Sequence, residues 1–331
     1  MNDHTLRLPA ATRYRFRFVL EEPMRPAPYL GSAWRGLLGH GLRRVACVTA
    51  RKHCDGCPLL EACIYNRLFE SRTAAPDAGR HRVRPHPFVL EPVQPRTGER
   101  LEAGDVIELG ITLLSDMHTA LPFLVQAMHQ AGRRGLGRRG GRFRTVALFQ
   151  ETDLGSDRWT LVWNPDAGKL SPVEPKPMVP LEPPRTLAIE LLTPLRMKFG
   201  GRLVRPETFS SDLFLTQLWR RIRDLAHHYG GGDGDPVVSL PQERPEGVET
   251  LDAALEWRDW TRYSSRQRCH MKMGGLVGRW RLPESAVARW WPLLWYGQWL
   301  HLGKGTSMGL GHYRLQEVGK LAVRASEAEV S

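Results

Sequence analysis

Stretches of alternating apolar and polar residues are interleaved with stretches of helical spacing along the first half of the chain. Residues 14–20 (YRFRFVL) alternate between apolar and polar, which predicts a strand. Residues 31–46 place Trp34 and Leu42 on one side of a helix, with Ser32 as its candidate N-cap. The other elements predicted for this half are strands over residues 82–92, 104–114 and 143–150 and a helix over residues 118–131. The predicted order is therefore strand, helix, strand, strand, helix, strand.

The second half of the chain repeats this order. Its predicted strands cover residues 185–193, 252–262 and 269–281 and begin again at 312, and its predicted helices cover residues 207–229 and 284–300. Pro292 is expected to kink the second of these helices or to set its start. Two consecutive units of this kind predict an α+β fold made of two tandem ferredoxin-like, RRM-like (βαββαβ) domains.

A proline-rich stretch separates the two halves. Residues 166–184 contain six prolines, which favours an extended linker over a packed element. We therefore predict an N-terminal domain over residues 1–165, a linker over 166–184 and a C-terminal domain over 185–331. A cysteine-rich insert over residues 47–72 interrupts the first domain.

Composition points to a polyanionic partner. The 331 residues carry a formal net charge of +12, and 40 of the 47 basic residues are arginine. Arginine binds phosphate bidentately and stacks on bases, and a basic surface attracts nucleic acid by counterion release. No apolar run is long enough for a transmembrane helix, and the first residues lack the apolar core of a secretory signal. We therefore expect a cytoplasmic protein with no membrane partner and no small-molecule substrate.

Two glycine-rich loops occupy the same place in the two predicted domains, between the second helix and the last strand. Residues 303–311 (GKGTSMGLG) combine four glycines with Lys304, and backbone N–H groups in such a turn can bind an anion. The loop follows a helix and precedes a strand, which is the reverse of a nucleotide P-loop. The predicted RNA contacts in it are Gly303, Lys304, Gly305, Thr306, Ser307, Gly309 and Gly311. Residues 132–142 are the matching loop, with Arg133, Arg134, Arg138 and Arg139 as predicted phosphate contacts.

Four of the five cysteines lie within 17 residues, at Cys47, Cys54, Cys57 and Cys63. Clustered thiols in a cytoplasmic chain predict a metal site rather than a disulfide framework. Four thiolates fit a structural, tetrahedral Zn²⁺, with an iron–sulfur cluster as the alternative and a set of free thiols as the third possibility.

The glycine-rich stretch Leu300–Tyr313 resembles the loop that defines the RAMP superfamily, and three further stretches support the resemblance. These are residues 34–40 (WRGLLGH), 262–267 (RYSSRQ) and 274–278 (GGLVG). Together they make the chain similar to the CRISPR-associated endoribonucleases that cut precursor repeat RNA. This resemblance implies that residues 262–272 help to hold RNA, with Arg262, Arg266 and Lys272 as contacts.

The resemblance also implies a reaction that uses no cofactor. In this family the ribose 2′-OH attacks the adjacent phosphate and leaves a 2′,3′-cyclic phosphate, without a metal. Such chemistry needs a proton acceptor and donor and cations near the phosphate. His40 stands where the family commonly places its histidine, and Arg35 is expected to assist it. Arg43 and Arg44 are expected to bind RNA, and His301 is the reserve catalyst.

Two other functions fit parts of the sequence. A non-catalytic RNA-binding RAMP subunit of a CRISPR effector complex would share the glycine-rich loop but would need no His40, and an endoribonuclease could itself partner other effector subunits. An iron–sulfur redox protein would use the cysteines, but it would not need the basic charge.

Overall fold

The computed structural model describes residues 3–73, 84–94, 98–136, 141–174, 182–232, 235–241, 243–264 and 269–317. For residues 3–4, 262–264 and 269–272 it describes the backbone alone. The described strands, in chain order, are β1 Asp3–Arg7, β2 Ala11–Leu20, β3 Phe88–Pro92, β4 Val106–Leu114, β5 Phe143–Glu151, β6 Trp159–Trp163, β7 Leu187–Leu195, β8 Lys198–Phe199, β9 Arg202–Leu203, β10 Val237–Pro241, β11 Leu251–Arg258, β12 Thr261–Ser264, β13 Cys269–Lys272, β14 Gly275–Leu282 and β15 Tyr313–Glu317. The α-helices are α1 Gly31–Ala46, α2 Leu121–Gly132, α3 Ser211–Tyr229 and α4 Glu284–Leu300.

The chain divides into two compact units. The N-terminal unit comprises Pro9–Met178 and His228–Asp235, and the C-terminal unit comprises Met1–Leu8, Val179–His227 and Pro236–Ser331. The first residues of the chain thus group with the C-terminal unit, whereas the sequence assigned them to the N-terminal domain. The reason is a backbone ladder: β1 pairs antiparallel with β10, from Asp3 opposite Pro241 to Arg7 opposite Val237.

The N-terminal unit is built on a five-stranded antiparallel sheet of order β3-β4-β2-β5-β6. Alternation along β2 buries Phe16 and Phe18 in the core that also holds the apolar residues of α1 and α2. Trp34 of α1 is fully buried there, 5.1 Å from the ring of Phe18, and Phe143 completes the cluster. The fifth strand, β6, has no counterpart among the predicted elements.

The C-terminal unit is built on a four-stranded antiparallel sheet of order β11-β14-β7-β15. Phe214 of α3 packs edge-on against Trp280 of β14 and Tyr313 of β15. The Tyr313 hydroxyl donates to the Leu294 carbonyl of α4 at 2.8 Å. A Cβ at Gly297 would lie 2.3 Å from that hydroxyl, so α4 can approach the sheet only because this residue is glycine.

The predicted single strand over residues 269–281 is wrong. Its first part, β13, pairs only with β12, whereas β14 pairs with β7 and β11. The chain changes partners at Gly274 and Gly275, where a Cβ would come within 2.2 Å of Asp259 and 2.9 Å of Pro194 respectively. One continuous alternation of inward and outward side chains therefore cannot run through this break.

Two expectations about helix ends also differ from the structure. Helix α1 has Leu30 at its N-cap position with no side-chain capping bond, so Ser32 is not the cap. Helix α4 begins at Glu284 and continues through Pro292, so this proline does not set its start. Among the described residues, no helix combines the length and the apolar character that a membrane crossing requires.

Candidate functional site

The exposed face of helix α1 carries an imidazole with one fixed nitrogen. His40 is exposed, and its Nδ1 lies 2.7 Å from the carbonyl oxygen of Gly36. A carbonyl can only accept, so Nδ1 carries the proton and donates it. In the neutral ring this leaves Nε2 with a lone pair, which is the form that a general base needs. Arg44, also exposed, stands one helical turn further along the same face.

The two glycines beside His40 serve packing. A Cβ on Gly39 would lie 2.3 Å from the Phe69 ring, and one on Gly41 would lie 2.4 Å from the Ala127 carbonyl of α2. Both glycines are buried, so they let α1 approach its neighbours. By contrast, a Cβ on Gly36 would meet nothing within 4 Å, so Gly36 has no such packing role.

Arg35 lies in a cluster that contains a histidine missed by the sequence analysis. Its Nη2 is 3.2 Å from His86 Nε2, and its Cζ lies 4.3 Å from the centroid of the Phe69 ring. The other nitrogen, His86 Nδ1, is 3.0 Å from Ser71 Oγ. A guanidinium can only donate, so Nε2 accepts and His86 is neutral with its proton on Nδ1. No local pattern marks His86, because its partners lie far away in sequence.

Arg43 is half-buried, and its guanidinium binds the cysteine-rich segment. Its Nη2 donates to the carbonyls of Arg51 and Lys52, the latter at 2.9 Å, and its Cζ lies 5.9 Å from the Tyr65 ring centroid. Of the two arginines that end α1, Arg43 is thus occupied by the protein itself. Arg44 is the one whose side chain is exposed.

The four clustered cysteines line one cavity of about 380 Å³, with Val48, Leu59 and Phe123 at its exposed apolar wall. Cys47 Sγ and Cys57 Sγ each lie 3.8 Å from Thr49 Oγ1. Within the described part of the chain, no three His, Cys, Asp or Glu side chains are close enough together to hold an ion. The thiols therefore share a cavity but stand apart.

The thiols of this segment differ in their electrostatic surroundings. Desolvation raises the pKa of Cys47, but hydrogen bonds from Thr49 and Ala50 and the charge of Arg43 outweigh it and lower that pKa below its usual value. Burial, followed by the nearby Glu70 carboxylate, raises the pKa of Cys54. Gly56, which lies between Cys54 and Cys57 at φ +68°, allows the turn in which Cys57 N–H donates to the Cys54 carbonyl at 3.1 Å.

The predicted arginine-rich loop begins at the end of helix α2. Arg133 occupies the C-cap position, and Arg134 follows it; both side chains are exposed. Arg138 and Arg139 lie outside the described residues, as does Arg266. Arg262 and Lys272 lie on the paired strands β12 and β13, two positions whose backbone alone is described.

The glycine-rich loop of the C-terminal unit is a series of tight turns around a short 3₁₀ turn, Thr306–Met308. Gly303, Gly305, Gly309 and Gly311 all have φ between +71° and +87°, which a residue with a side chain rarely adopts. Gly303 also forms a bridge with Arg196, and Lys304 N–H donates to the Arg196 carbonyl at 2.8 Å. These contacts fix the loop against the segment that follows β7.

Only the first part of this loop reaches the surface. Lys304 is exposed and Gly303, Gly305 and Thr306 are half-buried, whereas Ser307, Gly309 and Gly311 are buried. His301, the reserve catalyst, is fully buried with its ring stacked on His312 at 4.4 Å. The imidazole of His301 is therefore closed off from a substrate phosphate in this structure, which argues against its predicted reserve role.

Arg221 of helix α3 holds the base of the loop and was not identified from the sequence. Its Nε donates to the carbonyl of His301 at 2.6 Å, and its Nη2 donates to the carbonyl of Leu300 at 2.6 Å and to Thr306 Oγ1 at 3.2 Å. Burial lowers the pKa of Arg221 to about 10, although Asp224 acts in the opposite direction. One guanidinium thus satisfies the end of α4 and fixes the first turn of the loop.

Family comparisons place both halves of the chain. Residues 8–175 match a family described as the AF_1859_N N-terminal domain. Residues 189–313 match the CRISPR-associated endoribonuclease Cas6 family, over a segment that includes the whole glycine-rich loop. The C-terminal part of the chain, residues 189–313, therefore carries a Cas6 endoribonuclease domain. No curated protein matches the sequence significantly.

Solved Cas6 structures share the fold at low identity. A Cas6 (TTHB231) product complex, of the Thermus thermophilus protein, superposes with a TM-score of 0.52 at 18% identity and covers 93% of this chain and 100% of that one. A partial Cas6-RT-Cas1–Cas2 complex gives a TM-score of 0.53 at 11% identity and covers 94% of this chain. This chain spans 46% of that longer chain. At such identities the likeness establishes the fold of this chain.

Proposed function

We propose that this protein is an endoribonuclease that binds CRISPR repeat RNA in the cytoplasm and cuts it to make crRNA. The proposed reaction uses no metal: the ribose 2′-OH attacks the adjacent phosphate, the P–O5′ bond breaks, the leaving 5′-oxygen takes up a proton from solvent, and a 2′,3′-cyclic phosphate remains. The family match and the basic charge support the RNA substrate. The observation that carries the catalytic proposal is the exposed His40, whose Nδ1 is bound to the Gly36 carbonyl, so that the lone pair of the neutral ring is on Nε2.

The proposed mechanism gives each residue of α1 a separate task. His40 Nε2 accepts the proton of the 2′-OH as the bond to phosphorus forms. Arg44, one turn away, stabilises the charge on the phosphorane oxygens, and Arg35, oriented by His86, holds the phosphate from a different side of the helix. General acid–base catalysis of this kind contributes about 10²- to 10⁴-fold to a rate.

The remaining predicted residues are proposed to bind RNA away from the reaction. Lys304, Gly303, Gly305 and Thr306 offer a cation and backbone groups at the loop surface. Ser307, Gly309 and Gly311 are proposed to shape that loop rather than to touch the phosphate. The other proposed contacts are Arg43, Arg133, Arg134, Arg138, Arg139, Arg262, Arg266 and Lys272.

We further propose that each unit is a ferredoxin-like domain. In the order of their appearance, the four principal strands of each unit are arranged as second, third, first and fourth across the sheet. A helix follows the first strand and another follows the third in both units. This is the split-βαβ order, and its duplication supports a tandem arrangement with RRM-like units.

The test is cleavage of the repeat RNA from the same genome by excess protein in EDTA. We expect a single cut that leaves a cyclic phosphate, and a rate about 10²- to 10⁴-fold lower for His40→Ala with RNA affinity retained. A cut that survives His40→Ala would move the chemistry to another residue. Tight binding without any cut by the native protein would instead identify a non-catalytic RNA-binding subunit.

We also propose that Cys47, Cys54, Cys57 and Cys63 hold a structural Zn²⁺. The donor set suits a tetrahedral site, all four thiols line one cavity, and the turn at Gly56 brings two of them onto one bend. A bound ion would draw together thiols that now stand apart and would join α1 to the π-helical turn Asn66–Glu70. An iron–sulfur cluster is the alternative occupant.

Elemental analysis of the purified protein, with its absorption spectrum, tests this site. We expect one zinc per chain, no visible absorption, and loss of the zinc with a lower Tm in Cys57→Ser. Iron with visible absorption would identify a cluster, and a metal-free protein whose Tm is insensitive to chelator would refute both. Cys269 lies outside the cluster, so Cys269→Ser is the matched control.

A further inference from the structure

A small hairpin beside the glycine-rich loop displays an aromatic ring and two cations to solvent. Strands β8 and β9 are joined by Gly200 and Gly201, whose positive φ angles form a two-residue turn. Phe199 stands directly opposite Arg202, so their side chains project from the same face of the hairpin. The exposed fraction of Phe199 is 68%, which is unusual for a residue that could have been buried.

The hairpin is firmly anchored at its base and open at its tip. Met197 and Val204, which flank it, are buried, and Val204 N–H donates to the Met197 carbonyl at 3.0 Å. Gln217 of α3 holds the Lys198 carbonyl at 3.3 Å. A Cβ on Gly200 or Gly201 would meet nothing within 4 Å. Because the base is held in place and the tip is open, a ligand can contact the exposed ring of Phe199.

The same short segment fixes the glycine-rich loop. Arg196, two residues before the hairpin, pairs with Gly303 and accepts the Lys304 N–H. The backbone of Arg196 therefore joins the start of the hairpin segment to the loop that carries the exposed Lys304. Beyond the hairpin, Arg205 stacks on Trp257, with Cζ 3.6 Å from the ring centroid.

The charges of this surface are not neutralised. Among the described residues, no carboxylate forms an ion pair with Lys198, Arg202 or Lys304, whereas many arginines elsewhere are paired, such as Arg13 with Glu91 and Glu151. Unpaired cations beside an exposed aromatic ring are the combination that binds single-stranded nucleic acid, in which phosphates meet the cations and a base stacks on the ring.

We propose that the hairpin over residues 198–203 is an RNA-binding element, in which Phe199 stacks on an unpaired base, Arg202 on the same face binds a flanking phosphate, and Lys198, which projects from the other face, binds a phosphate further along the strand. The inference rests on the proposed function, because it assigns a further contact for the same RNA. The ligand class is single-stranded RNA, since a base within a duplex has no free face for the ring.

The test measures affinity and cleavage separately, with a fluorescein-labelled repeat RNA from the same genome. Phe199→Ala is expected to raise the Kd roughly 5- to 150-fold, as loss of one stacked base does, and to leave the single-turnover rate at saturating protein unchanged. Phe199→Tyr should restore the affinity, because a phenol ring also stacks. Val237→Ala removes an exposed apolar side chain of the same unit (54% exposed) and serves as the matched control.

Salt dependence distinguishes the ring from the cations. Lys198→Ala and Arg202→Ala should each lower the slope of log Kd against log salt concentration by about 0.7, whereas Phe199→Ala should leave it unchanged. If native protein binds and cuts the RNA but Phe199→Ala binds equally well, the hairpin does not contact RNA and the proposed function stands. If native protein does not bind the repeat RNA, both proposals fail together.

Discussion

Helix α1 and the glycine-rich loop share a sequence feature, a histidine close to glycines and basic residues, but the two histidines differ in exposure. His40 is exposed with one nitrogen fixed, whereas His301 is buried and stacked on His312. Gly39 and Gly41 of α1 permit close packing against neighbouring elements, whereas the glycines of the loop provide positive φ angles. The comparison teaches that a motif specifies a backbone shape, and that burial then decides which side chains can act.

Replacement of each histidine with alanine should give the largest difference between the two regions, in cleavage rate and in stability. His40→Ala is expected to lower the single-turnover cleavage rate about 10²- to 10⁴-fold with little change in Tm, since the side chain is exposed. His301→Ala is expected to leave the saturating rate nearly intact but to destabilise the protein by about 2–3 kcal/mol, because it empties a buried site. A large rate loss in His301→Ala, with native Tm and affinity, would reverse the assignment.

Alanine substitutions at Gly41 and Gly36 of α1 should change the free energy of unfolding in opposite directions. Gly41→Ala would place a Cβ 2.4 Å from the Ala127 carbonyl, so we expect a loss of about 1–3 kcal/mol. Gly36→Ala meets no atom, so it should stabilise the helix by up to about 1 kcal/mol. Denaturant unfolding of both variants measures this difference. Equal effects would mean that Gly41 does not set the distance between α1 and α2.

Removal of the Arg221 guanidinium should loosen the loop without touching α1. Arg221→Met leaves the carbonyls of Leu300 and His301 without their donor, at a cost of about 1–3 kcal/mol. RNA affinity should fall, while the saturating cleavage rate stays within a few-fold of native. Arg221→Lys provides a single donor group and should recover part of the affinity. A variant that binds RNA as well as native protein would show that the loop is shaped by its glycines alone.

The smallest effects are expected at the end of α2. Arg133→Ala and Arg134→Ala each remove one exposed cation, so each should weaken RNA binding alike for different repeat sequences and reduce the salt slope by about one. Neither variant should alter Tm by more than about 1 °C, because exposed substitutions of this kind change stability by less than about 0.5 kcal/mol. An unchanged salt slope would remove these two residues from the RNA surface.

Most of the regular elements could be predicted from the sequence, because their apolar spacing is local. Helix α1 has the predicted bounds, and every strand of the two main sheets except β6 overlaps a predicted strand. Strand β6 and the β8–β9 hairpin pair with neighbouring segments but are too short to show a clear period, whereas β1 and β10 were missed because they are distant partners of each other. The break at Gly274 was missed for the same reason, since it becomes visible only when β13 and β14 have different partners.

The candidate site could be predicted less fully, because its function depends on which side chains are exposed and which are hydrogen-bonded within the protein. Nothing in the local sequence shows that Arg43 is bound to the carbonyls of Arg51 and Lys52 while Arg44 is exposed. His86 and Arg221 act on residues 51 and about 80 positions away, which no local pattern can reveal.

The sequence by itself determined the family, the basic charge, the duplicated order of strands and helices, and the set of histidines, cysteines and glycines from which a site can be made. These are matters of residue type and spacing, which hydrophobic periodicity and backbone sterics express locally. Long-range packing alone makes His40 exposed, closes off His301, and joins the segment that precedes Phe199 to the glycine-rich loop through Arg196. Exposure and proximity are set by long-range packing, because each depends on which distant segments cover or support a residue.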